Sequence, residues 1–249
     1  MSLPADLTEA LTAAARADRL LITSDFDGTL APIVNNPADA RPLRDGADAL
    51  VALARCPDTS TALISGRALE VLRELSGMPA AVHMVGSHGA EFDSGFSHPI
   101  DRDLLDRIGA ELTAIAAARP GVTVELKPAS VALHVRNAEP ADAEAACTQA
   151  LESAQAWDAQ LTKGKAVLEF AVITTDKGEA IDILRAEHQA SAVIYFGDDV
   201  TDEKAFRRLR DGDVGVKVGP GQTMAGYRVE GPEDVVAALK FLLDKRNGS

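Results

Sequence analysis

The sequence predicts an α/β fold: a Rossmann-like, mostly parallel-sheet core with an inserted α+β unit. Three observations carry that expectation. Short apolar and β-branched runs alternate with helical patterns towards both ends of the chain, as in a parallel sheet covered by helices. At least four of those runs stop at polar clusters: Asp25/Asp27, Ser65, Gly86-Ser87-His88 and Asp198/Asp199. Between about Ser97 and Val172 the alternation gives way to helix, hairpin, helix and strand pair, and then resumes. The boundaries read as residues 1–96 and 173–249 for the core and 97–172 for the insertion.

Leu3–Ala17, with Leu7 and Leu11 at helical spacing, reads as a short surface helix. Leu20–Thr23 is apolar and β-branched on both faces and reads as a buried strand running into Asp25-Phe26-Asp27-Gly28-Thr29. A loop with Pro32, Pro37 and Pro42 precedes a helix over Arg44–Arg55. Thr61–Ile64 is a second strand, ending at Ser65-Gly66-Arg67 before a helix from about Ala68 to Leu75. Val82–Val85 is a third, closed by Gly86-Ser87-His88-Gly89-Ala90-Glu91. In the insertion, Asp101–Arg119 is a helix with Leu104, Leu105, Ile108, Leu112 and Ile115 on one face. Val122–Lys127 and Val131–Arg136 read as a hairpin, Ala141–Trp157 as a helix, and Gln160–Val172 as a strand pair turning at Lys163-Gly164-Lys165. The core resumes with a helix over Lys177–Glu187 and a strand over Ala192–Phe196 that ends at Gly197-Asp198-Asp199-Val200-Thr201-Asp202-Glu203. A helix to about Leu209, a strand over Asp213–Val218 and a helix over Asp234–Leu243 complete the chain.

The chain has 249 residues, with Lys plus Arg at 25, Asp plus Glu at 38 and a net charge of −13. That balance argues against a nucleic-acid binder, which shows a basic face. It leaves room for an anionic small substrate held by a few local cations. Cys56 and Cys147 fit no metal spacing and read as reduced thiols of a cytoplasmic protein. Met1–Arg19 lacks the apolar run of a signal peptide, and no stretch approaches membrane-spanning length. A monomer without nucleic-acid or membrane partners is expected.

Burying carboxylates beside a core strand is costly unless they are paired or hold a metal. Strand ends on one edge of an open α/β sheet are where ligands bind. Asp25, Asp27 and Asp198, with Asp199 or Asp202, lack a nearby His or Cys, so they suit a hard cation, with Mg²⁺ favoured. Taken alone, Asp-x-Asp-Gly is equally turn chemistry. An EF-hand fits poorly, because Gly28 is misplaced for its spacing. Asp25 is placed to attack a phosphoryl group, and Asp27 to give a proton to the leaving oxygen and take one from water. Ser65 and the backbone after it suit phosphoryl oxygens. Lys177 suits a fixed positive charge there, or is a solvated lysine at a helix start, a mildly unfavourable place for one. Glu125 with Lys127, His134 with Arg136, and Lys165 with Glu169 each read as sharing one strand face. Such a face suits a hydroxyl-rich sugar, and equally a solvated sheet face with weak ion pairs.

The motifs Asp25-Phe26-Asp27-Gly28-Thr29, Ser65-Gly66-Arg67, Lys177-Gly178 and Gly197-Asp198-Asp199-Val200-Thr201-Asp202-Glu203 resemble, in order, those of the haloacid dehalogenase superfamily of phosphatases. The longer runs Asp25–Ile33, Gly86–Glu91 and Gly197–Phe206 are similar to the trehalose-6-phosphate phosphatase family. So are Glu125-x-Lys127, His134-x-Arg136 and Gly164-Lys165-x-x-x-Glu169 in the insertion. The resemblance spans about Leu20 to Leu242. It implies Mg²⁺-dependent hydrolysis of trehalose 6-phosphate through an aspartyl-phosphate, with Asp25 as nucleophile and Asp27 as acid and base. It implies a metal held by Asp25, the Asp27 carbonyl and Asp198 with Asp202 nearby, and phosphate held by Ser65, Gly66 and Lys177. The insertion would be a cap, with Glu125, Lys127, Arg136, Lys165 and Glu169 on the sugar and Arg67 and His88 at the domain interface. His88 alone reads as a structural hydrogen-bonder. One departure is Phe170-Ala171-Val172 after Glu169, where many family members carry a basic or proline-containing pair; it bears on the hinge only.

Rival readings are a phosphatase for another sugar phosphate, such as sucrose or glucosylglycerol phosphate, a receiver-type phospho-accepting domain, and a catalytically silent copy. The Asp25/Asp27 pair and the insertion count against a receiver, and the full set of reacting residues counts against a silent copy. Hinges near Ser94–Ser97 and Ile173–Thr175 predict that the cap closes over substrate.

Overall fold

The computed structural model describes residues 3–248. In chain order the first elements are α1 (Ala5–Ala14), β1 (Leu20–Ser24), α2 (Arg44–Leu53), β2 (Thr59–Ile64), α3 (Leu69–Ser76) and β3 (Val82–Val85). A two-stranded hairpin follows, β4 (Glu91–Phe92) with β5 (Gly95–Phe96). Then come α4 (Arg102–Ala117), β6 (Thr123–Leu126), β7 (Ser130–His134), α5 (Pro140–Ser153), β8 (Gln160–Gly164) and β9 (Val167–Ala171). The chain ends with α6 (Lys177–His188), β10 (Ala192–Gly197), α7 (Asp202–Phe206), β11 (Val214–Val218), β12 (Tyr227–Val229) and α8 (Pro232–Asn247). Two compact units result, one up to Gly95 and from Thr175, the other Phe96–Thr174.

The first unit is built on a 6-stranded sheet in the order β12-β11-β10-β1-β2-β3, parallel at every pairing. β1 is buried along its whole length. Its Leu20 and Ile22 enter the core under α1, α2, α3 and α8, while Leu21 enters a second core under α6 and α7. Successive strands run outward from β1 through β2 and β3, and after the insertion outward on the other side through β10, β11 and β12. The order therefore reverses between β1 and β10, and this switch point brings the carboxyl ends of those two strands side by side.

Local chemistry accounts for the helix ends. The Asp176 carboxylate accepts from the N–H groups of Gly178 and Glu179 at 2.9 and 3.0 Å, so α6 starts at Lys177. Glu91 accepts from Leu69 N–H at 2.8 Å and caps α3, which Gly77 ends in a left-handed turn at φ 61. Pro232 opens α8 and Asp101 caps α4.

The second unit carries a 4-stranded antiparallel sheet, β6-β7-β9-β8. Val131, Leu133, Leu168 and Phe170 on one face form a core with α4 and α5 around Trp157. The mixed α/β architecture, with a parallel central sheet and a separate antiparallel one, is the fold class the sequence predicts.

Several local expectations are corrected. α1 buries Leu7 and Leu11 completely, because it lies against α8 and the β10–β12 side of the sheet. β12 and the β4–β5 hairpin have no counterpart in the sequence reading, being too short for period-2 alternation to register. The helix expected up to Leu209 stops at Phe206. β7 ends at His134, which leaves Arg136 in the following turn and not on a shared strand face with His134. Lys165 and Ala166 form the turn between Gly164 and Val167, with Ala166 at φ 63, so strand alternation does not put Lys165 on the face of Glu169. Among the described residues Cys56 and Cys147 are free thiols, and no helix is long and apolar enough to cross a membrane.

Candidate active site

Asp25 follows the last residue of β1, and its N–H donates to the Phe196 carbonyl of β10 at 2.9 Å. Its carboxylate is buried and accepts from Phe26 N–H at 2.7 Å and from the Lys177 ammonium at 2.9 Å. Burial pushes the Asp25 carboxyl well above the usual carboxylate range; Lys177 opposes that push and the nearby Asp202 adds to it. Lys177 is itself buried at the first position of α6 and bonds Asp202 at 2.7 Å. Burial disfavours its charge, yet Asp25 and Asp202 outweigh that and raise its pKa.

Asp202 opens α7 with both carboxylate oxygens engaged. Oδ1 accepts from Lys177 and from the Tyr195 hydroxyl at 2.5 Å, and Oδ2 accepts from Asp199 N–H at 2.9 Å. Burial, and then the charge of Asp202, push the Tyr195 phenol well above its ordinary value. Asp198 lies just past β10 and accepts from the Thr29 hydroxyl at 3.3 Å, and its carboxyl is raised by burial and by Asp202. Oxygens of Asp25, Asp198 and Asp202 lie within 4.8 Å of one another. Gly28, at φ +78, is packed so closely that a Cβ there would stand 2.1 Å from Asp198 Oδ2. Three converging carboxylates, two of them with carboxyls pushed up mainly by burial, fit a small hard cation.

Asp27 stands apart from this cluster. Its carboxylate accepts from Arg67 Nε and Nη2, both at 2.7 Å, a bidentate pair. The Asp27 side chain is therefore absent from the acidic triad. Arg67 also lies over the Phe26 ring at 5.8 Å. Ser65, buried at the end of β2, accepts from Arg67 N–H through Oγ at 3.2 Å. Gly66 leaves room for the His88 imidazole, which would be 2.3 Å from a Cβ on it. His88 N–H donates to Ser65 O at 2.9 Å, and both Ser87 and His88 hold left-handed conformations at φ 50 and 56. Such backbone is strained for residues with a Cβ and collects at functional sites.

In the second unit, Glu125, Ala132 and Glu169 are cross-strand partners in one row of the sheet, so they share the face opposite the core. Glu169 accepts from Lys127 at 3.0 Å and from the Ser130 hydroxyl at 2.6 Å. Glu125 meets His134 Nε2 at 2.9 Å. Arg136 and Lys165 are exposed in their turns.

Three side chains escaped the sequence reading. Tyr195 was legible only as a strand residue. Ser130, the first residue of β7, reads from sequence as part of the short gap of the hairpin. Lys217 is buried and donates to the Asp198 carbonyl; its signal was a lone lysine inside Val214-Gly-Val-Lys-Val218.

A family model described as trehalose-phosphatase matches residues 23–233. The trehalose-6-phosphate phosphatase of Escherichia coli K12 is 35% identical over 226 residues, covering 88% of this chain and 84% of that protein. The trehalose-phosphate phosphatase of Mycobacterium avium is 34% identical over 248 residues, and the match covers 89% of this chain and 61% of that one. Among solved structures, the Candida albicans trehalose-6-phosphate phosphatase C-terminal domain shares the fold, with TM-score 0.77 at 23% identity over 98% of both chains. The Aspergillus fumigatus trehalose-6-phosphate phosphatase gives TM-score 0.71 at 25% identity over all of both chains. With the family model spanning most of the sequence, the chain belongs to the trehalose-phosphatase family and is an enzyme, a phosphoric monoester hydrolase.

Proposed function

We propose that the protein hydrolyses trehalose 6-phosphate to trehalose and phosphate, with Mg²⁺ as cofactor and an aspartyl-phosphate on Asp25 as intermediate. The observation that carries the reading is the convergence of Asp25, Lys177, Asp198 and Asp202 at the reversal point of the sheet. Asp25, Asp198 and the Asp27 carbonyl would hold the ion, with Asp202 behind them. When bound, Mg²⁺ supplies positive charge that keeps Asp25 ionised and offsets charge on the phosphoryl oxygens.

An Asp25 oxygen attacks phosphorus, and the bond from phosphorus to the sugar oxygen breaks. Asp27, as an acid, gives its proton to that oxygen. Water then attacks phosphorus, its proton passes to Asp27, and the bond to Asp25 breaks to release phosphate. Arg67 donates to both Asp27 oxygens, so a proton on one of them replaces one of these bonds. Ser65, the Gly66 backbone and Lys177 bind the phosphoryl group, and Lys177 counters its charge. Arg67 and His88 stand by for the leaving sugar.

We assign sugar recognition to the insertion, read as a cap, through Glu125, Lys127, Arg136, Lys165 and Glu169. Glu125 and Glu169 on the sheet face opposite the core, with Lys127 bonded to Glu169, offer both charges to sugar hydroxyls, and Arg136 and Lys165 would reach them from the adjoining turns. The enzyme is read as a cytoplasmic monomer.

Phosphate release from trehalose 6-phosphate, glucose 6-phosphate and sucrose 6-phosphate, each with Mg²⁺ and with EDTA, tests the proposal. A metal-dependent preference for the trehalose ester is expected. Metal-dependent turnover of another ester would keep the roles of Asp25 and Asp27 and discard the sugar assignment.

A further inference from the structure

Lys217 is buried, at 4% exposure, on β11, where Val214, Val216 and Val218 fill the main core. In register it faces Gly197 of β10, one residue before Asp198. Its ammonium donates to the Asp198 carbonyl, and among the described residues it forms no ion pair. Taking an ammonium out of water is costly, and an apolar side chain would fill the same strand position without that cost. A backbone carbonyl is thus held by a charged donor where packing alone requires none.

The other end of the same peptide unit is held too. The Asp199 N–H of the Asp198–Asp199 peptide donates to Asp202 Oδ2 at 2.9 Å. Asp202 cannot turn freely, because its other oxygen bonds Lys177 at 2.7 Å and Tyr195 at 2.5 Å. One peptide plane is therefore gripped at its oxygen by Lys217 and at its nitrogen by Asp202. The two bonds together fix the peptide next to the Asp198 Cα, and so the loop backbone that carries the Asp198 carboxylate. Gly28 and Gly197 leave no slack, since a Cβ on either would fall within 2.5 Å of Asp198 or Asp202 carboxyl atoms.

We propose that Lys217 is a positioning residue: with Asp202 it clamps the Asp198–Asp199 peptide and so sets the affinity of the acidic cluster for a divalent cation. The inference rests on the reading that Asp198 holds Mg²⁺. It also commits to a sign. The positive charge of Lys217 repels a nearby cation, so if charge mattered more than the clamp, removing it would tighten metal binding.

The test is calorimetric titration of Mg²⁺ into the metal-free full chain, for the natural protein and for Lys217→Met, which keeps volume and drops both donor and charge. Partners behind metal ligands are worth about 10- to 100-fold in metal affinity. Affinity is expected to fall by about tenfold or more. The Mg²⁺ concentration for half-maximal activity should rise by the same factor, while KM for trehalose 6-phosphate at saturating Mg²⁺ stays within about twofold. Unchanged or tighter Mg²⁺ binding by Lys217→Met overturns the clamp. If that variant does not fold, hydrogen exchange of the Asp199 amide in the natural, metal-free protein reads the Asp202 half of the clamp, without which Lys217 alone cannot hold the peptide plane. Protection of about hundredfold or more supports it, and exchange at the rate of an open loop overturns it. If the natural protein binds no Mg²⁺ at all, the metal reading fails, and the amide measurement still decides the clamp.

Discussion

Replacing Lys177 by Met removes the ammonium that bridges Asp25 and Asp202. Its ammonium lies 2.9 Å from Asp25 and 2.7 Å from Asp202, and the three side chains are 2%, 7% and 0% exposed. Water cannot replace the lost partner there. Breaking a buried pair by removing one member costs about 3–5 kcal/mol, a large share of the roughly 5–15 kcal/mol that holds a domain together. The loss is pH-dependent. Asp25 already has a folded pKa well above its unfolded value of 3.8, and losing Lys177 removes the main influence holding it down. The native state then binds more protons than the unfolded one between those two values, so stability rises as pH falls through that window, by up to about 1.4 kcal/mol per pH unit for one proton. The assay is urea unfolding in EDTA at pH 7.5 and pH 5, followed by circular dichroism. Trp157, the one tryptophan, reports separately on the second unit. The expected result is a loss of about 3–5 kcal/mol at pH 7.5 that narrows clearly at pH 5, with turnover reduced by about 10²–10³. A loss below about 1 kcal/mol, or one equal at the two pH values, refutes the reasoning that Lys177 compensates buried charge.

Gly28→Ala puts a Cβ 2.1 Å from Asp198 Oδ2 at φ +78; the left-handed backbone costs about 1–2 kcal/mol, and moving the carboxylate by roughly 1 Å should lower kcat/KM by about hundredfold, with wild-type kinetics counting against a metal role for Asp198. Glu169→Ala strands Lys127 and Ser130, so KM for trehalose 6-phosphate should rise about tenfold while hydrolysis of a small aryl phosphate stays within about threefold; equal losses on both substrates would remove the sugar assignment. Without metal, the natural protein should gain stability as pH falls through the Asp25 folded pKa towards its unfolded value of 3.8, because Asp25 binds its proton more readily folded than unfolded. Saturating Mg²⁺ should flatten or reverse that slope in thermal melts, and an unchanged slope would argue that Asp25 does not meet the ion.

Much of the fold was legible because burial on both faces leaves a nearly unbroken apolar run, which β1 and β10 show. The insertion was legible by the change from such runs to alternation, as in β7, where Val131 and Leu133 point inward and Ser130 and His134 do not. What escaped has a common cause. β12 is three residues long and its Tyr227 and Arg228 are not fully buried, so no periodicity marks it. Arg136 and Lys165 share a strand face with His134 and Glu169 only if alternation is extended past the points where the strands turn.

The site divides along the same line. Asp25, Asp198, Asp202 and Lys177 could be named from sequence because charged residues directly beyond core strands or at a helix start break the local pattern. Their geometry was not readable, because it is made by closures over long sequence distances. Arg67 grips Asp27 from 40 residues away, and Lys177 reaches Asp202 across 25. Whether Asp27 faces the metal cluster or an arginine depends on those closures, and the bidentate pair with Arg67 settles its carboxylate on the arginine side. Tyr195 is the instructive case. In the strand it looks like any aromatic packing residue, and against Phe206 it is one, at 5.5 Å between ring centroids. Its hydroxyl nevertheless fixes Asp202, and so bears on Lys177 and Asp25 in turn. A buried tyrosine needs a hydrogen-bond partner, and here that requirement joins the packing of the core to the charge arrangement of the site.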